Sequence, residues 1–145
     1  MCLETVMTNK KQVKYLKTVP DPVICWKTVH IDNKGILHPL YCYTTQDYFA
    51  GINVIHRKTQ YISIGTNSKL RIMLLGAHFF RHRCDAVAVA RYHRYNRRVV
   101  RCKIAKKDID AIGETSMTAY PITEIHALTI VAHRATFAKT IRKVS

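Results

Sequence analysis

Residues 72–104 read Ile72-Met-Leu-Leu-Gly-Ala-His-Phe-Phe-Arg-His-Arg-Cys-Asp-Ala-Val-Ala-Val-Ala-Arg-Tyr-His-Arg-Tyr-Asn-Arg-Arg-Val-Val-Arg-Cys-Lys-Ile104. Ile72 to Leu75 is a short apolar run closed by Gly76, a length that suits a buried strand. His78-Phe79-Phe80 extends or follows it. From Cys84 the pattern changes to alanine and valine. Asp85 stands where a helix N-cap or first-turn carboxylate meets free amides and the positive dipole end. The pattern predicts a central helix over about 84–95, with Val89 and Tyr92 on one face and Arg91, Arg94 and Arg98 on another. Asn96 suits the turn that ends it. Val99 to Ile104 alternates as a strand, with Val100, Cys102 and Ile104 on one side and Val99, Arg101 and Lys103 on the other.

The same stretch concentrates charge. Arg81, Arg83, Arg91, Arg94, Arg97, Arg98 and Arg101 are seven of the chain's eleven arginines and lie within 21 residues, with Asp85 the sole acid among them. Guanidiniums so crowded repel one another unless an anion sits between them, and their planar fork fits phosphate oxygens bidentately. His78 and His82 stand among them as candidate phosphate-binding histidines. Tyr92 and Tyr95 interleave, offering faces on which bases stack. The alternative is a solvated basic helix face on a chain that is basic throughout.

The 145 residues carry 24 basic against 9 acidic side chains, a formal charge of +15, and are 48% hydrophobic. The apolar fraction excludes a disordered chain, and the length suits one domain. No stretch approaches the roughly 18 apolar residues of a membrane helix, and no secretory leader pattern opens the chain. The charge favours nucleic acid, a phosphorylated small molecule or an acidic partner surface. The five cysteines, Cys2, Cys25, Cys42, Cys84 and Cys102, have no framework spacing, which indicates a reducing, cytoplasmic compartment. There is no CxxC pair, Walker loop, GxGxxG or nucleophile elbow, so neither a metal nor another cofactor is expected.

Along the chain, 1–22 reads as a loosely ordered basic arm, and 23–145 as a single domain. Val23 to Ile31 is the first convincing strand, and Asp32-Asn33-Lys34-Gly35 is a turn. Ile36 to Tyr43 reads as a second strand, placed at an edge by Pro39. Gln46 to Gly51 reads as a turn or short helix, Asn53 to Arg57 as a short apolar–basic piece, Tyr61 to Ile64 as a strand, and Gly65 to Ser68 as a loop. Gly113 to Tyr120 reads as loop and Thr123 to Val131 as a strand. Ala135, Ala138, Ile141 and Val144 suggest a C-terminal helix over His133–Val144. The class is α+β, with a mostly antiparallel twisted sheet.

The pair Trp26-Lys27 on the first strand, Gly76 to Phe80 with the helix Asp85 to Tyr92, the strand Val99 to Ile104, and Glu124 before Ile125 to Val131 together resemble the ADP-ribosyltransferase fold over residues 23–131. The resemblance implies an enzyme with Lys27, His78 and Glu124 as catalytic residues. Two departures, lysine at 27 and histidine at 78, favour a scaffold that binds a nucleotide without turning it over. The Met-Cys start and the aromatic–lysine strand are also similar to small proteins of bacteriophages and gut bacteria, which implies an accessory or anti-defence role. Three functions stand side by side: a binding protein for nucleic acid or a nucleotide-derived signal, an ADP-ribosyltransferase-like enzyme, and a virion or interaction protein that contacts genome or an acidic partner. A homo-oligomer is left open.

Overall fold

Strand β2, Val23–Ile31, is flanked on both edges, and one of its faces is buried along most of its length. From Val23 to His30 it pairs antiparallel with β8, Arg97–Ile104, in register from Val23–Ile104 to His30–Arg97. Its other edge is divided. Trp26 pairs with Phe80 of β7, Ala77–Phe80, whereas Val29 to Ile31 pair with β3, Leu37–Pro39. Alternation sends Val23, Cys25, Lys27 and Val29 into one buried layer, and Ile24, Trp26, Thr28 and His30 towards the other.

The computed structural model describes residues 3, 5–34, 36–39, 51–54, 60–66, 69–75, 77–93, 97–119, 123–139 and 142–143, with backbone alone at 39, 51–54, 60–66, 69–75, 93 and 142–143. The remaining elements are β1 (Thr5–Val6), α1 (Asn9–Leu16), β4 (Gly51–Val54), β5 (Gln60–Thr66), β6 (Lys69–Leu75), α2 (Arg83–His93), a 3-10 turn (Lys106–Asp108), β9 (Ile109–Ala119), β10 (Thr123–Ala132), β11 (Arg134–Phe137) and β12 (Arg142–Lys143). The main sheet runs β1-β9-β10-β7-β2-β8-β11-β4, with β3 added to β2 and β12 to β8. All of its pairings are antiparallel. Strands β5 and β6 form a separate hairpin. The α+β class and the mostly antiparallel sheet agree with the sequence reading.

One helix packs on each face. On the first, Cys25, Val29, Phe79, Val100, Cys102, Ile104, Ile112, Ile130 and Phe137 form the larger core, and Met7, Tyr15, Leu16 and Val19 close over it from α1 and its flanks. The ring of Phe79 meets that of Phe137 edge to face, centroids 6.1 Å apart. On the second face α2 buries Ala86, Val89 and Ala90, the i, i+3, i+4 stripe of an amphipathic helix. Phe80, Met117 and Ala127 lie beneath it, with Trp26, Val99 and Ile125 at the margin. The Thr28 hydroxyl donates to the Ala86 carbonyl at 2.8 Å, pinning the helix to β2. Burying one such valine contributes roughly 1.5–3 kcal/mol.

Several expectations need correction. The arm over 1–22 is built into the fold where described: β1 pairs Thr5 with Glu114 and Val6 with Gly113, Leu3 is buried, and α1 is capped by the Thr8 hydroxyl. The expected loop from Gly113 is strand β9, paired with β10 from Ile109 to Ala119. Its small and polar residues (Gly113, Thr115, Ser116) hid an alternation that burial makes plain. The expected C-terminal helix is instead β11 and β12: Ala135 and Phe137 are buried and Arg134 and Thr136 exposed, a period of two. Ile72 to Leu75 do not feed α2. They belong to β6, and the four-residue β7, buried throughout, enters the helix. Gly65 and Thr66 belong to β5, opposite Leu70 and Lys69. Residues 40–50, 55–57 and 94–96, which carry parts of other expectations, lie outside the described residues. The Asp32 turn is as expected, its carboxylate accepting from the Lys34 and Ile36 amides and engaging His38 at 2.7 Å.

Gly113 is required by a close approach. A Cβ built there would lie 2.0 Å from the Thr5 carbonyl oxygen, so the strand at the sheet edge can dock only on a bare backbone. Gly113→Ala is expected to destabilise by about 2–3 kcal/mol, read from the denaturant midpoint, and to release the β1 amides to hydrogen exchange. An unchanged midpoint contradicts this packing.

Candidate functional site

Lys27 sits where β2 exchanges one neighbour for another. Its strand position points it into the larger core, where it is buried. Its ammonium donates to the His78 carbonyl at 2.8 Å and lies 4.9 Å from the centroid of Phe79. Burial pulls it down from 10.5 to about 8, with the neighbouring Cys102 acting in the opposite direction. Cys25 and Cys102 face each other across β2 and β8 as free thiols. Burial pushes Cys25 up to about 12, against the positive Arg81, and raises Cys102 as well, against Lys27. Lys27 is therefore a sealed internal donor, and its contacts are those of a clamp between β2 and β7.

His78 is buried in β7 between β10 and β2, so it is removed from the set of surface phosphate ligands. Its strand partner on β10 is Val131. Glu124 is exposed seven residues further along β10, about 23 Å away at ~3.3 Å per residue. Glu124 also falls on the opposite face from His78 by alternation. Lys27 meets His78 at its backbone carbonyl while the two side chains point to opposite faces of the sheet, and Glu124 is distant, so these three do not form one acid–base site.

The arginines divide by strand alternation. Arg97 and Arg101 share the α2 side of β8, and Arg98 points to the other side, its guanidinium on the Arg97 carbonyl at 3.0 Å. Arg98 thus belongs to a strand and leaves the helix face proposed for it with Arg91 and Arg94. Arg91 and Tyr92 are exposed on α2, and Arg83, His82 and Cys84 are exposed at its start. Arg94 and Tyr95 lie outside the described residues. Arg81 reaches across the corner between β7 and α2, donating from Nη1 to the Ile24 carbonyl at 3.1 Å. Its buried Nε has no partner among the described residues.

α2 covers only part of its face of the sheet, and the uncovered quadrant is basic. Trp26 pairs with Arg101, and Ile24 with Lys103, which also pairs with Thr136 of β11. Arg101, Lys103, Arg134 and Thr136 are exposed, and Trp26 and Ile24 are half-buried. Arg101 and Lys103 are alternate residues of one strand, hence about 6.7 Å apart. Arg81 bounds the quadrant at Ile24, and His82 and Arg83 follow it in sequence, both exposed. Lys103 was legible from the alternation of Val99 to Ile104. Arg134 was not, because a helix was expected around it.

The acids do not neutralise this surface. Asp32 engages His38, Glu114 lies 3.5 Å from His126, and His133 is held between Asp110 at 3.0 Å and Asp108 at 3.4 Å. Asp21 accepts from the Lys106 amide. Asp85, in the first turn of α2, has its carboxyl raised by desolvation, partly opposed by His82. Among the described residues, Arg81, Arg83, Arg101, Lys103 and Arg134 have no carboxylate within 4.0 Å. Among the described residues, no group of three histidine, cysteine or acidic side chains is placed to hold a metal ion, and no helix is long and apolar enough to cross a membrane.

Lys27 also makes a pH prediction. The unfolded chain holds this proton more tightly than the folded one, so its contribution to stability is complete above pH 10.5 and is lost as pH falls through about 8. The two buried thiols act oppositely, and their contribution fades above 9.0. Between pH 8 and 9 Lys27 should add on the order of 1 kcal/mol of stability while the unfolded thiols take part of it back, so the wild type should gain about 1 kcal/mol relative to Lys27→Met over this interval. Urea unfolding of both proteins at both pH values decides it, and an unchanged difference between them refutes the assignment.

Comparison with protein-family models, with curated proteins and with solved structures found no match for this chain.

Proposed function

We propose that this protein binds nucleic acid through its phosphate backbone, on the basic quadrant of the sheet left open by α2. The observation that carries this reading is the alignment of Arg101, Lys103 and Arg134 on one exposed face beside Arg81, while Asp32, Asp108, Asp110 and Glu114 engage histidines and Asp21 a backbone amide. Uncompensated guanidiniums at fixed spacing are a standing site for phosphate oxygens. α1 offers Lys10, Lys11, Lys14 and Lys17 on the opposite face, but as flexible point charges on a short helix. The facing free thiols of Cys25 and Cys102 support a reducing compartment.

A phage accessory protein that sequesters a nucleotide and a virion component that neutralises genome would use the same surface. Salt separates them, because each phosphate neutralised releases counterions. Binding to a fluorescent oligonucleotide is expected to weaken steeply with salt, with a log–log slope of about −3 or steeper. Arg101→Ala and Lys103→Ala should each reduce the magnitude of that slope by about one, and Lys14→Ala should not change it. A shallow slope with one tight mononucleotide site would move the function to a nucleotide signal. No binding at low salt would overturn it.

A further inference from the structure

We propose that the nucleic acid held on this quadrant is single-stranded, with an unstacked base laid against Trp26 while Arg101 and Lys103 take successive phosphates. This rests on the backbone-binding reading above and specifies its substrate. Trp26 is the chain's one tryptophan and stands directly across from Arg101, a cross-strand neighbour at a Cβ separation of about 4.5–5.5 Å. It is half-buried, packed at the margin of the cluster of Phe80, Ala86, Val89 and Met117. The indole is therefore held in place before a ligand arrives, which lowers the ordering cost of stacking.

The spacing agrees. The step from Arg101 to Lys103 is about 6.7 Å, close to the phosphate separation of an extended strand. Three strands, β2, β8 and β11, make a floor roughly 10 Å across, wide enough for one backbone and its bases. A base can lie on an aromatic face only when it has left its own stack, and each such contact is worth about 1–3 kcal/mol by alanine substitution. A duplex keeps its bases stacked and offers this surface phosphates alone.

The single tryptophan makes the test direct. Oligothymidylate and a blunt duplex of equal length are titrated into the protein while Trp26 emission is followed. The single strand should quench emission to saturation and bind at least ten-fold more tightly than the duplex, which should leave emission unchanged. Trp26→Leu should weaken oligothymidylate binding roughly ten-fold without changing the salt slope, and Trp26→Phe, which keeps a stacking face, should retain most of the affinity. Circular dichroism confirms that each variant is folded. If Trp26→Leu does not fold, the wild-type quench and the Trp26→Phe affinity decide. Equal affinity for both ligands with emission unchanged, while salt-dependent binding persists, overturns the single-strand assignment and leaves backbone binding intact. Absence of binding to either ligand overturns both.

Discussion

The structure depends on a strand that must be satisfied on two edges and two faces. β2 keeps one neighbour, β8, along its length, but divides its other edge between β7 and β3. At such a division backbone groups lose their ladder partners, and a buried carbonyl left without a donor costs about 1–3 kcal/mol. The ammonium of Lys27 supplies a donor to the His78 carbonyl from within the core. A charge in that position is itself costly, and the lowered proton affinity of Lys27 measures the strain. On the other face Thr28 ties α2 to the same strand. Helix position, and so the part of the sheet left uncovered, follows from where β2 is gripped.

That uncovered part carries the functional argument. Strand alternation places Arg101 and Lys103 on one side of β8, and antiparallel pairing sets them beside Trp26 and Thr136. The few acids could have neutralised such a row. Instead Asp32, Asp108, Asp110 and Glu114 face histidines. Arg101, Lys103 and Arg134 are thereby left without a carboxylate partner on the α2 side of the sheet.

What the sequence disclosed, and what it concealed, follows from side-chain size and period. Val23 to Ile31, Val99 to Ile104 and Thr123 to Val131 are rich in β-branched residues with clear alternation, and all three are strands. The helix from Arg83 was legible from its alanines and Asp85. β9 was obscured because glycine, threonine and serine pack its face, and the need for Gly113 arises from a strand 108 residues earlier in the chain, at Thr5. Alanines three apart near the C-terminus mimicked a helix, although burial follows Ala135 and Phe137. Of the site, the cluster of arginines was visible, but its division between two faces was not. Trp26 and Arg134 join Arg101 through pairing between distant segments. Lys27 and Glu124 were linked by resemblance, and the register of β10 separates them.

Lysine acetylation footprinting with and without a saturating oligonucleotide measures directly which face of the sheet a polyanion meets. Lys103 should become protected while Lys10, Lys11, Lys14 and Lys17, on the helix that covers the other face, stay reactive. Protection of the α1 lysines with Lys103 still fully acetylated would contradict binding on the open quadrant.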